Sequence, residues 1–147
     1  MREIRPATAS DLDGLVRLFD AYRVFYGCAT DPDAARRFLS ARLEAGDSRI
    51  FLALKEGRAV GFTQLYPSFS SLSMKRLWIL NDLFVEPGER RGGAGRDLMA
   101  AAESFARSDG AKGLALATQT GNSRAQALYA KMGYRRDDGF YHYALTF

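Results

Sequence analysis

Apolar residues along this chain switch between a two-residue and a 3.6-residue period, and each switch marks a change of element. Residues 2–6, REIRP, alternate polar with apolar and predict a short strand closed by Pro6. Thr8 and Asp11 form a helix-capping pair. Leu12, Leu15, Val16, Phe19 and Tyr22 then recur at helical spacing and predict a helix over residues 9–26. GCATDP breaks it. A second helix begins at Asp31, carries Phe38, Leu39 and Leu43 on its apolar side and stops at Gly46. The segment SRIFLALKEGRAVGFTQLYPSF holds two strand-like runs around residues 55–59, hence a β-hairpin with Gly57 available for a positive φ.

Residues 75–86, KRLWILNDLFVE, are apolar at nearly every position, as in a strand covered on both faces. Two polar residues, Asn81 and Asp82, interrupt its centre. Beyond a glycine-rich stretch, Ala94, Leu98, Ala101, Ala102 and Phe105 share one face of a helix that ends near Gly110. KGLALAT then predicts a buried strand, and NSRAQALYAKM a helix with Ala125, Leu128, Tyr129 and Met132 on one side. YRRDDGFYHYALTF predicts a terminal pair of strands around Asp138 and Gly139. The predicted order is β α α β β β α β α β β. Without an internal repeat or a linker, this reads as one α/β domain over residues 1–147 with a mixed sheet.

Composition narrows the function classes. The chain has 147 residues, enough to bury roughly two thirds of its unfolded surface. At 47% hydrophobic and 26% charged it is far from a disordered composition. Cys28 is the only cysteine, which rules out an internal disulfide and a cysteine-based zinc site; no metal is expected, and a reducing cytoplasm is the expected setting. The N-terminus lacks the apolar core of a signal peptide, and no window reaches the roughly 18 apolar residues of a membrane span. A formal net charge of +4 is spread among 17 acids, a weak basis for binding duplex nucleic acid.

Candidate chemistry starts at residues 89–99, ERRGGAGRDLM. Here a strand, a short loop and a helix start follow one another. Free backbone N–H groups and the positive end of a helix dipole therefore meet at one spot, and glycines remove the side chains that would keep an anion away. A Walker loop fails, because Ala94 and Gly95 stand where Lys and Ser/Thr are needed after Gly88 and Gly93. A dinucleotide fingerprint from Gly93 fails at Leu98, where its third glycine belongs. What fits is R-x-x-G-x-G, at Arg90, Gly93 and Gly95, shortly after the V-x-P of Val85 and Pro87.

That loop, together with NSRAQALYAKMGY read as N-x-x-A-x-x-L-Y-x-K-x-G-F/Y, resembles the two motifs of the GNAT superfamily of N-acetyltransferases, and more narrowly its small histone-and-polyamine-type branch. The resemblance covers nearly the whole chain. It implies a GNAT fold with a mixed, mostly antiparallel sheet of about six or seven strands and about four helices. It also implies direct acetyl transfer from acetyl-CoA to a primary amine in a ternary complex, on a small-molecule or peptide acceptor, by a homodimer. After Arg90, the N–H groups of Arg91, Gly92, Gly93, Ala94, Gly95 and Arg96 would grip the pyrophosphate of the cofactor, with Arg91 and Arg96 adding charge at its rim. Leu83, Phe84 and Val85 would run beside the pantetheine arm, and a backbone N–H near Phe84 or Val85 would face the reacting oxyanion. Tyr129 takes the place of the family's tyrosine, beside the cofactor, that protonates the departing thiolate. Asn122 matches the motif asparagine that touches the pantetheine or nearby backbone.

Each of these residues has a plainer reading as well. Asp82 either binds an ammonium group, relays its proton directly or through a water shared with Asn81, or makes a structural hydrogen bond inside the sheet. Polyamine-type members tend to carry an acidic pair where this chain has Asn-Asp, so polyamine specificity does not follow. Tyr129 also suits the apolar face of its helix, and Asn122 also suits a helix N-cap. Tyr22, Phe25 and Tyr26, with Gln64 and Tyr66, are candidates for the wall of an acceptor site, or for ordinary core. Cys28 and His142 show no triad spacing, and His142 is expected on a sheet face. SFSSLSMKR borders either the acceptor cleft or a subunit contact. The rival functions are a non-catalytic acetyl-CoA-binding module and a nucleic-acid-binding domain built on Arg90, Arg91 and Arg96.

Overall fold

Asp31, Gly46 and Gly57 sit at element ends for the reasons their chemistry dictates. Asp31 caps the helix that follows, its carboxylate accepting from the Ala34 N–H at 3.1 Å with Pro32 in the first turn, and Gly46 ends that helix in the left-handed conformation. Glu56 and Gly57 both have positive φ, as a two-residue hairpin turn of the primed type requires. The computed structural model describes residues 2–147. Its elements are β1 (Arg2–Pro6), α1 (Leu12–Phe25), α2 (Pro32–Ala45), β2 (Arg49–Lys55), β3 (Arg58–Ser70), β4 (Lys75–Val85), α3 (Ala94–Ser108), β5 (Leu114–Ala115) and α4 (Ser123–Lys131). Short 3-10 helices at Ala9–Asp11 and Pro87–Gly92 precede α1 and α3.

The chain divides into two compact units, Met1–Ala117 and Thr118–Phe147. In the first, the sheet runs β1-β2-β3-β4-β5 in space, antiparallel except where β5 joins β4 in parallel. One face carries α1 and α2, whose Leu15, Leu18, Phe19 and Leu39 bury against Leu52, Phe62 and Phe84. Phe105 of α3 meets Phe51 and Trp78, ring centroids 5.9 and 5.0 Å apart. Leu98, Met99 and Ala102 of that helix are fully buried. The second unit holds α4, whose N-terminus is capped by Asn122 accepting from the Ala125 N–H at 3.2 Å.

A one-residue irregularity in β4 shapes everything near its centre. Gln64 of β3 pairs with Asp82, but Leu65 pairs with Leu80, so Asn81 is the extra residue of a β-bulge. Side chains alternate along a strand, and an extra residue shifts that alternation by one. Trp78 and Leu80 therefore share one face, while Asp82 and Phe84 turn to the other, where Phe84 meets Tyr22 and Phe25 of α1. The β4–β5 ladder ends just before the bulge, at Ile79 and Ala115.

Three expectations are corrected. Among the described residues the sheet has five strands, not six or seven, and four α-helices are joined by two 3-10 helices. KGLALAT forms a strand only at Leu114 and Ala115, neither of them buried, because its partner strand departs at the bulge. Residues 134–147 form no strand: hydrogen bonds from the Arg136 Nε to Asp138 and from the Gly139 N–H to Asp137 make a local turn, and Phe140, Tyr141, His142 and Tyr143 are exposed. Alternation there specified a side-chain period without a strand to pair with.

Gly61 is packed between β4 and α3. A Cβ at this position would lie 3.0 Å from the Phe84 carbonyl oxygen and 3.3 Å from a methyl of Leu98. Overpacking against a backbone atom has no cheap escape. Gly61→Val is expected to lower stability by about 1–3 kcal/mol, read as a lower urea midpoint; an unchanged midpoint would contradict this packing.

Candidate active site

Asp82 is 4% exposed, and a buried carboxylate needs partners. It has two. The Gln64 side-chain amide donates to Oδ2 at 2.7 Å, and the Asn81 amide to Oδ1 at 3.0 Å. Gln64, fully buried, is itself held by the Ser48 hydroxyl at 3.0 Å. A relay Ser48–Gln64–Asp82–Asn81 thus crosses from the start of β2 to β4. The carboxylate keeps acceptor capacity for a further donor.

That further donor would come from a cavity of about 510 Å³ on the α1/α2 side, lined by Phe19, Tyr22, Phe38, Tyr66, Asn81 and Asp82, with Arg23 also on its wall. Burial, then the Asp82 carboxylate, hold the Tyr22 phenol well above its ordinary range, and the same two causes push Tyr66 up to about 12. Both phenols therefore stay neutral near pH 7 and can donate hydrogen bonds, but neither can act as a base. Asp82 is the only carboxylate on the cavity wall among the described residues.

At the far end of β4 the chain enters the 3-10 helix Pro87–Gly92, and Gly93, at φ 84°, turns it into α3. Only glycine adopts that conformation at no cost. Unlike α2 and α4, α3 has no side chain on its first-turn amides, because its N-cap is Gly93. The amides and the dipole are open to an anion. Arg90 is occupied elsewhere: its Nε donates to the Val85 carbonyl at 2.8 Å, and its guanidinium lies 5.2 Å from the Phe25 ring and 5.4 Å from that of Phe84. It fastens the loop to β4 and to the end of α1. Arg91 and Arg96 form no ion pair among the described residues.

The exposed edge of β4 can be oriented as well. The Glu86 N–H donates to Val60 on the β3 side at 2.9 Å, so alternation turns the backbone groups of Val85 and Leu83 to the opposite edge, which has no β5 partner. Leu83 and Val85 thus offer their amides there, and Phe84 offers its ring to the α1 face.

Tyr22, Tyr66, Asn81 and Asp82 come together in the cavity, and Gln64 stands behind Asp82. Phe25 and Tyr26, both exposed, pack on each other at 5.2 Å and do not line it. In the second unit, Tyr129 is half-buried with its ring 6.1 Å from that of Tyr134. Cys28 is exposed. Sequence reasoning missed four contributors. Phe38 looked like core, yet it is 40% exposed and walls the cavity. Ser48 and Arg23 gave no signal. Arg2 was also missed: it pairs with Asp97 in the first turn of α3 at 2.6 Å, and a Cβ at Gly92 would come within 3.1 Å of its guanidinium.

An acid in an aromatic cavity, a strand edge without a partner and an uncapped glycine-rich helix start thus lie on one strand–loop–helix path. The chain belongs to the acetyltransferase (GNAT) family, whose model matches residues 15–134. It is 51% identical, over 97% of its length and 96% of the relative's, to the uncharacterized N-acetyltransferase YhfO of Bacillus subtilis (strain 168). The crystal structure of a probable acetyltransferase superposes with a TM-score of 0.94 at 43% identity, covering 99% of this chain and 97% of that one. An aminoglycoside N-acetyltransferase in complex with CoA shares the fold, with a TM-score of 0.82 at 22% identity over 99% and 95% of the two chains.

The relay behind Asp82 has a measurable worth. Gln64→Leu removes the 2.7 Å donor to Oδ2 and strands the Ser48 hydroxyl. The expected loss is about 1–3 kcal/mol of stability near neutral pH, measured by chemical denaturation. Wild-type stability in this variant would mean that the contacts carry no load.

Proposed function

We propose that this chain is an acetyl-CoA-dependent N-acetyltransferase that passes the acetyl group directly to a primary amine while both are bound. The observation that carries the reading is Asp82, a buried acid opening into an aromatic cavity on the strand that leads into the glycine-rich loop. An amine attacks only through its free lone pair, so a proton acceptor in such a cavity has a chemical task. The family match runs across both compact units, which supports one catalytic domain over the whole chain.

The loop fits the cofactor: α3 begins on a glycine with free amides, and a fold neighbour holds CoA. When bound, acetyl-CoA supplies an activated acetyl thioester. The amides of residues 91–96 would hold its pyrophosphate, Arg91 and Arg96 would add charge at the rim, and Asn122 would contact the pantetheine region by its place in the second motif. Leu83 and Val85 offer the backbone groups of the open β4 edge to the pantetheine amides, alongside Phe84. The Val85 N–H is the donor best oriented to stabilise negative charge on a carbonyl oxygen at that edge. Asp82 pairs with the ammonium form of the acceptor and takes its proton, directly or through a water beside Asn81. Tyr129, by its motif position, donates a proton to the departing sulfur. The histone-and-polyamine-type resemblance rests on cofactor motifs, which carry no information about the acceptor. A homodimer, supported by that resemblance, and a reducing cytoplasmic setting, supported by the single cysteine, complete the proposal; among the described residues no helix is long and apolar enough to cross a membrane.

Thiol release from acetyl-CoA, measured with and without primary amines, tests the reading. Amine-dependent release is expected from the wild type. Asp82→Asn should lower kcat/KM by about 100-fold or more, and Tyr129→Phe should slow turnover while leaving CoA affinity nearly unchanged. Tight CoA binding without release on any amine would instead mark a non-catalytic binding module.

A further inference from the structure

Resting on the acetyltransferase reading, we infer that the acceptor is an arylalkyl amine carrying a single positive charge, with no carboxylate beside the nitrogen. The cavity supplies one anion, Asp82, and one cation, Arg23, and its remaining wall is largely the rings of Phe19, Tyr22, Phe38 and Tyr66. Those groups dictate what can fill it.

The first constraint is charge. A primary ammonium finds its counter-ion in Asp82, whose two oxygens are held in place by Gln64 and Asn81 and retain acceptor capacity. A second ammonium on the same molecule finds no second acid on the wall and meets Arg23, whose charge is only partly offset by Asp20 on the same helix. Polyamines and polycationic sugars are thereby disfavoured, since an unpaired buried charge is costly.

The second constraint is shape and surface. Phe19 stacks on Phe38 with centroids 5.7 Å apart and a 13° interplanar angle, and Tyr22 meets Phe62 edge-on at 5.7 Å. These rings are fixed by one another, so the wall is preorganised rather than adaptable. About 510 Å³ accommodates a ring on a short chain, within the range of roughly 300–1,000 Å³ typical of small-molecule pockets. An aryl body buries apolar area against these faces and gains the edge and offset contacts that aromatic pairs favour. A polar chain of similar length gains neither.

The third constraint separates amines from α-amino acids. With the nitrogen on Asp82, a carboxylate on the adjacent carbon lies next to a like charge. An anionic group at the opposite end of the molecule would instead be free to reach toward Arg23. Selectivity in this cavity therefore comes from Arg23 and the aromatic wall, with Asp82 adding discrimination only against a carboxylate beside the nitrogen.

The test uses the full chain with acetyl-CoA and four acceptors: phenethylamine, phenylalanine, spermidine and kanamycin, read as kcat/KM from thiol release. Phenethylamine is expected to exceed each of the others by about tenfold or more. Arg23→Glu should raise the value for spermidine at least about fivefold and narrow that gap; Arg23→Gln, which leaves the exposed end of α1 uncharged, should shift it in the same direction by less. Spermidine or kanamycin equal to or better than phenethylamine in the wild type would overturn the inference, as would an Arg23→Glu profile identical to wild type. Either result leaves the acetyltransferase reading standing. Absence of CoA binding, measured by calorimetry on the same protein, would overturn that reading itself and the inference with it.

Discussion

At Asn81 the β4 strand takes one residue more than its neighbour β3 can match, and the consequences run in both directions along it. Before the bulge, Trp78 faces Phe105 of α3 and its indole N–H reaches Asp109 at 2.8 Å, so this half of the strand is ordinary core. After it, the same alternation delivers Asp82 and Phe84 to the α1 side. Without the extra residue Asp82 would point toward α3, away from its cavity, and Gln64 would have no acid to hold. The bulge also coincides with the end of the β4–β5 ladder, which leaves the backbone of the following residues without a strand neighbour on that edge. One irregularity thus gives a single strand two working surfaces: a face for an acid in a cavity and an edge for backbone donors.

The surrounding structure holds this arrangement rigid by contacts that themselves bind nothing. Arg90 ties the loop to Val85 and rests between two rings, and Glu86 takes ion pairs from Arg17 of α1 and Arg58 of β3. Those acid–base pairs are partly exposed and individually weak, but they converge on the eight residues between β4 and α3 and fix where the helix starts. The glycine loop is left to present amides. A site on strands and helix termini, locked by neighbours, keeps its geometry better than one on a free loop.

Much of this could be read from the residues before any coordinates. Periodicity placed β1 through α4 in the right order because each has a one-sided or two-sided burial pattern, and Asp31, Gly46, Gly57 and Asn122 marked ends by capping or positive φ. Asn81 and Asp82 stood out as polar residues in an apolar strand. What could not be read was the bulge, since nothing in KRLWILNDLFVE tells which residue is extra; pairing with β3 decides that. For the same reason the acid's partner was not identified: Gln64 looked like a cavity wall and is its anchor. Strand pairing also explains the overcount of strands, because alternation in FYHYALTF sets which side chains face together without supplying a ladder. Phe38 was read as core on spacing alone, and Arg2 meets the glycine loop only through the fold, 95 positions away from Asp97 in the sequence.

Hydrogen–deuterium exchange of the chain with and without CoA tests most directly whether the bulged strand and the helix start form one cofactor surface. The account predicts slowed exchange at the β4 edge, residues 83–85, and in the loop and first turn of α3, residues 91–97, with lesser slowing near Asn122 and the α2 amides around Phe38 unchanged. Protection absent from both segments at saturating CoA, or centred on the α1/α2 side instead, would contradict it.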